Sequence, residues 1–182
     1  METQIIAFCS HNKNKYNNTF LGGDEAIFSN WYPSTFTFSK EDFIKYLGVD
    51  SEKKTFVSVE QGLMFGKAIL FEDTDLSMKI MKTDDPKIIK DFGRKVKGYD
   101  QDIWASHRYY YATGLILEKF KQNDDLLQIL KKTGSATLVE GAWYDDVWGV
   151  GLKDTDPLIH DQKNWKGQNL LGKCLMKARD LL

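Results

Sequence analysis

The stretch "NLLGKCLMKARDLL", Asn169 to Leu182, decides the fold class. It places Leu170, Leu171, Cys174, Leu175, Ala178, Leu181 and Leu182 at i, i+1, i+4, i+5, i+8, i+11 and i+12, which is one apolar stripe along a helix. Asn169, Lys173 and Lys177 recur every fourth residue on another face, and Asn169 stands where the helix begins and can cap it. Three further stretches read as helix: "VEQGLMFGKAILF", the long "DIWASHRYYYATGLILEKFKQ" and "DDLLQILKKTG", with acid at its start and Lys-Lys before a Gly at its end. The β-like runs "QIIAF", "STFTF", "KTFVSV" and "ATLVE" are short. A helix-rich α+β fold with a small sheet follows, with Leu171, Leu175 and Ala178 buried.

The chain has 182 residues, 42% apolar and 28% charged, enough to bury a core, and is read as a single domain over residues 1–182. Its N-terminal residues lack a basic start and a small-residue cleavage site, and no apolar run approaches the roughly 20 residues that span a bilayer, so an intracellular, cytoplasmic protein is expected. Cys9 and Cys174 lie far apart in no CxxC spacing, which argues against a disulfide framework. "HNKNKYNN" suits a surface loop. The net charge of −1 argues against gripping nucleic acid mainly by its phosphates, so contact with a nucleic acid would be local. Five tryptophans exceed what such a core needs, and some are expected to face a ligand.

Three constellations carry chemistry. On a helix, Glu60, Met64 and Lys67 of "SVEQGLMFGKA" share a face, with Glu60 and Lys67 roughly 10 Å apart along the axis. A carboxylate at a helix start is supported by the dipole, and a lysine among Leu63, Phe65, Ala68 and Ile69 is costly to bury; the bland alternative is a solvated helix face. In "LVEGAWYDDVWGVGL", Asp145 and Asp146 lie between Trp143 and Trp148, where indole surface can tune a carboxylate and Gly149 and Gly151 let backbone approach a ligand. Two solvated turn residues flanked by core tryptophans is the alternative there. In "FSNWYPS", Asn30 offers a donor and an acceptor, and Trp31 and Tyr32 offer flat faces, though a plain turn explains them equally well. The three histidines show no metal spacing, so no metal site and no cofactor are expected, and Walker, GxGxxG and GxSxG signatures are absent.

In order, "FSNWYPSTF", "VEQGLMFGKA", "GRKVKGYDQDIW", "KFKQNDDLLQILKKTG", "LVEGAWYDDVWGVGL" and "WKGQNLLGKCLMKAR" resemble the motifs of the NADAR family, named for NAD and ADP-ribose, over about residues 20–182. The resemblance implies an N-glycosidase that cleaves a bond between ribose C1 and a nitrogen, with substrates among ADP-ribosylated guanine, free or in nucleic acid, and phosphoribosyl aminopyrimidines of riboflavin synthesis. It implies that Glu60 is the active-site glutamate, Lys67 the motif lysine, and Asp145 and Trp148 the D and W of D-x-x-W-G. Asn30, Arg94, Asn169 and Lys173 fall at further motif positions and read as ligand-positioning residues. Gly62 stands where an aromatic is usual, which is expected to widen the pocket or loosen that helix; Trp143 and Tyr144 bring bulk where smaller residues are common. Cleavage builds oxocarbenium-like charge on the sugar, so a carboxylate and an acid are needed, roles Glu60 and Asp145 can divide. Lys67 with a lowered pKa can instead attack C1 and form a Schiff base. A non-catalytic reader of ADP-ribose, with Trp31 and Trp148 stacking and Arg94 on the diphosphate, and a purely structural domain are the rival classes.

Overall fold

The computed structural model describes residues 4–12 and 21–182. The Asn/Lys-rich stretch expected to be a loop lies mostly outside the described residues. The chain divides into two compact units: one takes the chain up to Tyr32 and again Asp124–Leu182, the other is Pro33–Asn123. They are called the terminal and the internal unit, for their place in the sequence.

In the terminal unit, strand β1 (Ile5–Phe8) pairs in parallel with β4 (Thr137–Glu140), Ile5 opposite Thr137 and Phe8 opposite Glu140. A parallel pair needs a crossover of a dozen or more residues. Helix α7 (Leu170–Leu181) lies against β4 and buries Leu171, Cys174, Leu175 and Ala178, as its stripe requires. Leu181, at the frayed end of the stripe, is exposed. Helix α6 (Asp124–Lys132) has Asp124 and Asp125 in its first turn and Lys131 and Lys132 in its last, so both ends complement the helix dipole. Arg179 of α7 donates to the Thr133 hydroxyl at 2.8 Å and the Ala136 carbonyl at 2.9 Å, fixing the turn between α6 and β4.

The internal unit holds β2 (Phe36–Phe38), α1 (Lys40–Leu47), β3 (Lys54–Phe56), α2 (Val59–Leu70), α3 (Thr74–Ile80), α4 (Pro86–Gly93) and α5 (Gln101–Lys121). β2 and β3 are antiparallel, Phe36 opposite Phe56. Helix α2 packs against α3, α4 and α5 and is the hub of the unit. The core is made of phenylalanine: Phe38 stands edge-on to Phe43 at 4.9 Å and to Tyr111 at 5.6 Å, and Phe56 meets Phe65 at 5.6 Å. Such pairs add about 0.5–1.5 kcal/mol each beyond area burial, and Phe43→Ala at their centre is expected to cost about 3–5 kcal/mol. Tryptophan is used differently. Only Trp104 is buried, while Trp31, Trp148 and Trp165 are half-buried and Trp143 is exposed.

The fold is therefore helix-rich α+β, and the four described strands pair two by two, in two small sheets where one was expected. No helix among the described residues is long and apolar enough to cross a membrane. Cys9 and Cys174 form no disulfide.

Candidate functional site

Helix α2 presents the first group of candidates. Its start is built by neighbours of Glu60: the Ser58 side chain accepts from Gln61 N at 3.2 Å, and Gln61 Oε1 accepts from Val57 N at 3.0 Å. Gln61 Nε2 then donates to the carbonyls of Ile80 and Thr83, tying α2 to the end of α3. Ser58 thus caps the helix through the Gln61 amide, and the Gln61 side chain anchors its first turn. Glu60 is only 6% exposed, so the solvated-face alternative is wrong for it. Burying a carboxylate is expensive unless it is paired or hydrogen-bonded.

Two turns on, Lys67 is half-buried, its Nζ donating to the Gly93 carbonyl at 2.8 Å and standing 3.9 Å from the centre of the Tyr99 ring. Burial lowers its pKa from the ordinary lysine value, and the charge of Glu60 pulls the other way. Glu60 and Lys67 are thus within electrostatic reach, without a direct ion pair. Gly93 is glycine for a steric reason, since a Cβ there would lie 1.9 Å from Met64 Sδ. Met64 therefore seats α4, and that contact places the carbonyl that receives Lys67. Gly62 neither widens a pocket nor leaves a gap: a Cβ there would meet Leu115 at 2.8 Å and Phe56 at 3.2 Å, so α5 and β3 already fill the space an aromatic would take. Arg94 is exposed and bonded at 2.7 Å to Asp91. Lys119 is a buried cation the sequence did not single out; burial pushes its pKa down to about 7.

The terminal unit holds the other candidates. Asn30 follows a 3-10 turn at Asp24–Phe28, is 9% exposed, and its Oδ1 is buried with no donor among the described residues. An unmet buried acceptor costs about 1–3 kcal/mol, which a ligand N–H or O–H would recover. Beside it, Trp31 is half-buried and its ring lies 5.9 Å from that of His11.

Asp145 is half-exposed, and its Oδ1 accepts from Val147 N at 3.0 Å and Trp148 N at 2.8 Å, closing the turn that carries Trp148. Gly149 is buried, and the close approach it permits is made by the chain itself: a Cβ would meet Ala142 at 2.9 Å and the carbonyl oxygens of Asp145 and Glu140 at 3.0 Å. Asn169 sits at the start of α7 in the left-handed region (φ 52°) without making a side-chain cap. Its amide is spent elsewhere, Nδ2 donating to the Leu138 carbonyl at 2.9 Å and Oδ1 accepting from Glu140 N at 3.0 Å. It thereby completes the free edge of β4 as a neighbouring strand would. Only 1% exposed, it is a positioning residue, and Lys173 one turn later is exposed. A cavity of about 570 Å³ in this unit, beside Ile5, Thr137 and the His160–Trp165 segment, contains none of the candidates.

The Gly93 carbonyl and Tyr99 escaped the sequence reading: a main-chain acceptor has no residue signature, and the Tyr99 ring reaches Lys67 only through the packing of α2 on α4. "GRKVKGY" after a Pro-started helix was the available signal.

A buried glutamate and a lysine whose pKa burial lowers thus stand on one helix of the internal unit, and a buried asparagine with an unmet acceptor and a half-buried tryptophan stand in the terminal unit. The NADAR domain model matches residues 15–182. The chain belongs to the NADAR domain family. It is similar to an N-glycosidase of Acanthamoeba polyphaga mimivirus, 38% identical over 156 residues, 85% of this chain and 86% of the viral protein. It is also similar to protein irg-1 of Caenorhabditis elegans, 37% identical over 163 residues, 86% of this chain and 75% of the nematode protein. A riboflavin biosynthesis protein of Vibrio vulnificus is 28% identical over 112 residues, 62% of this chain but 28% of that protein. The NMR structure of the E. coli protein YbiA shares the fold, with a TM-score of 0.68 at 24% identity over 100% of this chain and 86% of that one.

Proposed function

We propose that this N-glycosyl hydrolase removes ADP-ribose from guanine, and that helix α2 carries the chemistry. The observation that carries the reading is Lys67: an amine half-buried among apolar neighbours, its pKa lowered by burial, on the same helix as the buried Glu60. Lowering the pKa raises the share of neutral amine, the form that attacks. Neutral Nζ bonds to ribose C1 as the C1–N bond to the base breaks. The departing nitrogen takes a proton from an acid, a role that suits Glu60. Loss of the amine proton and opening of the sugar ring give a Schiff base; water then adds at C1, ADP-ribose leaves, and the amine returns. Asp145, the aspartate of the D-x-x-W-G motif, is the second carboxylate proposed to serve the reaction.

The family resemblance admits both guanine-linked ADP-ribose and riboflavin-pathway pyrimidines, and the match to the riboflavin protein is 28% identical over 62% of this chain. One incubation separates the classes. With ADP-ribosylated guanosine, chromatography is expected to show guanosine and ADP-ribose formed together. Retention of uncleaved ligand would make the protein a reader, and cleavage only of a phosphoribosyl aminopyrimidine run in parallel would move the substrate to the riboflavin class.

A further inference from the structure

Tyr99 lies between α4 and α5 and is 40% exposed, yet its side chain is held on several sides. It stands edge-to-face with Phe71, the residue that ends α2, with centroids 5.5 Å apart and planes at 68°. Its hydroxyl donates to Gln101 Oε1 in the first turn of α5. Its ring face lies under Lys67 Nζ, 3.9 Å from the centroid. Phe71, Lys67, Gly93, Tyr99 and Gln101 all belong to the internal unit, so the arrangement is complete within it.

The nitrogen of a neutral lysine carries two hydrogens and one lone pair besides its bond to Cε. Lys67 Nζ has two acceptors in place, the Gly93 carbonyl at 2.8 Å and the π face of Tyr99. The carbonyl alone leaves the lone pair two positions, because either hydrogen can serve it. With the second hydrogen given to the ring, the tetrahedral nitrogen has one direction left, and the lone pair takes it.

We propose that Tyr99 is a positioning residue: its ring, with the Gly93 carbonyl, holds the Lys67 amine in one orientation and aims its lone pair. The proposal rests on the reading of Lys67 as the attacking group. The same ring face also favours the ammonium form, since a π face attracts a cation. Glu60 acts in that direction too, the one charged side chain among the described residues whose field shifts Lys67, while burial opposes both. Removing the face of Tyr99 therefore frees the amine to turn and lowers its pKa further. Loss of the hydroxyl alone does neither.

Two substitutions in the intact protein separate face from hydroxyl, Tyr99→Phe and Tyr99→Leu, with Tyr99→Met in place of the latter should the leucine variant fail to fold. The Lys67 pKa is read without substrate, from the NMR signal of 13C-labelled lysine Cε over a pH titration, assigned by its loss in Lys67→Met. Tyr99→Leu is expected to lower that pKa by about half a unit, the worth of one partly exposed cation–π contact, and Tyr99→Phe to leave it in place. With ADP-ribosylated guanosine, Tyr99→Leu should cut kcat about tenfold at little-changed KM, because the amine is present but poorly aimed, while Tyr99→Phe stays near the wild type. A ring that only packs would move neither reading. An unmoved Lys67 pKa in Tyr99→Leu, or a Tyr99→Phe variant that behaves like Tyr99→Leu, overturns the proposal. A flat titration in an enzyme that Lys67→Met inactivates removes Tyr99 and keeps Lys67 as the attacking group. A shifted titration in an enzyme whose Lys67→Met variant still turns over supports the hold of Tyr99 on the amine and overturns the attack by Lys67.

Discussion

Helix α2 and the Trp143–Trp148 turn each place a carboxylate among aromatic and apolar residues, yet they divide labour in opposite ways. In α2 the architectural work falls to Ser58, Gln61 and Met64, which cap the helix, tie it to α3 and seat α4. Glu60 acts on Lys67 through its charge, while Lys67 donates to the Gly93 carbonyl. In the turn, Asp145 itself closes the backbone, through two main-chain amides. The difference is a caution about motif residues. A side chain can be fixed in a family because it reacts or because it folds the loop, and only its hydrogen-bond partners tell which explanation is sufficient.

The largest effect should fall on α2. Glu60→Gln and Lys67→Met are each expected to reduce turnover of ADP-ribosylated guanosine by about a hundredfold or more, the scale usual for losing one acid/base group, with initial rates as the check. Near-normal turnover in either variant would break the assignment of chemistry to this helix.

Asp145→Asn sharpens the comparison because the amide oxygen can still accept from Val147 and Trp148. If Asp145 serves the reaction, turnover falls by about a hundredfold while the melting temperature holds. A drop in melting temperature with turnover retained would reduce Asp145 to a turn residue. For Asn169, whose amide completes β4, the expectation is structural. Asn169→Ala orphans the Leu138 carbonyl and the Glu140 amide and should cost about 2–3 kcal/mol of stability in chemical denaturation. Turnover per folded molecule should be unchanged, and a KM rise without destabilisation would restore it as a ligand contact.

A smaller shift lies in pH. The covalent route needs neutral Lys67, so the rate should rise with pH through a limb placed below the ordinary lysine range by burial. Glu60 raises that pKa, so Glu60→Gln, at its reduced rate, should carry the limb to lower pH. A limb that moves up or stays fixed would separate the two residues.

Much of this was legible in sequence, and the omissions have physical causes. The stripe of α7 and the apolar runs of α2 and α5 are long enough for periodicity to decide. Helices α3 and α4 span seven and eight residues, too short for a 3.6-residue period to stand out. Their caps were nonetheless written in the chain: Asp85 before Pro86 starts α4, and Ser39 with Asp42 forms a capping box for α1, closed by Gly48 at φ 73°. That Glu60 and Lys67 lie on one helix was legible because they stand two helical turns apart in a run with few helix breakers. What could not be read was which polar groups the backbone would claim. Asn169 read as a helix cap and a ligand-positioning residue, but its amide is taken by β4, and Gly149 read as open to a ligand, but its own loop closes over it.

The claim that Lys67 is the attacking group is tested most directly by borohydride added during turnover of ADP-ribosylated guanosine, followed by peptide mass spectrometry. A reduced sugar adduct on Lys67 in the wild type, absent from Lys67→Met, is the predicted result. No adduct in a wild type that is turning over, together with near-normal turnover by Lys67→Met, would contradict it and leave Lys67 as an amine that only packs between Gly93 and Tyr99.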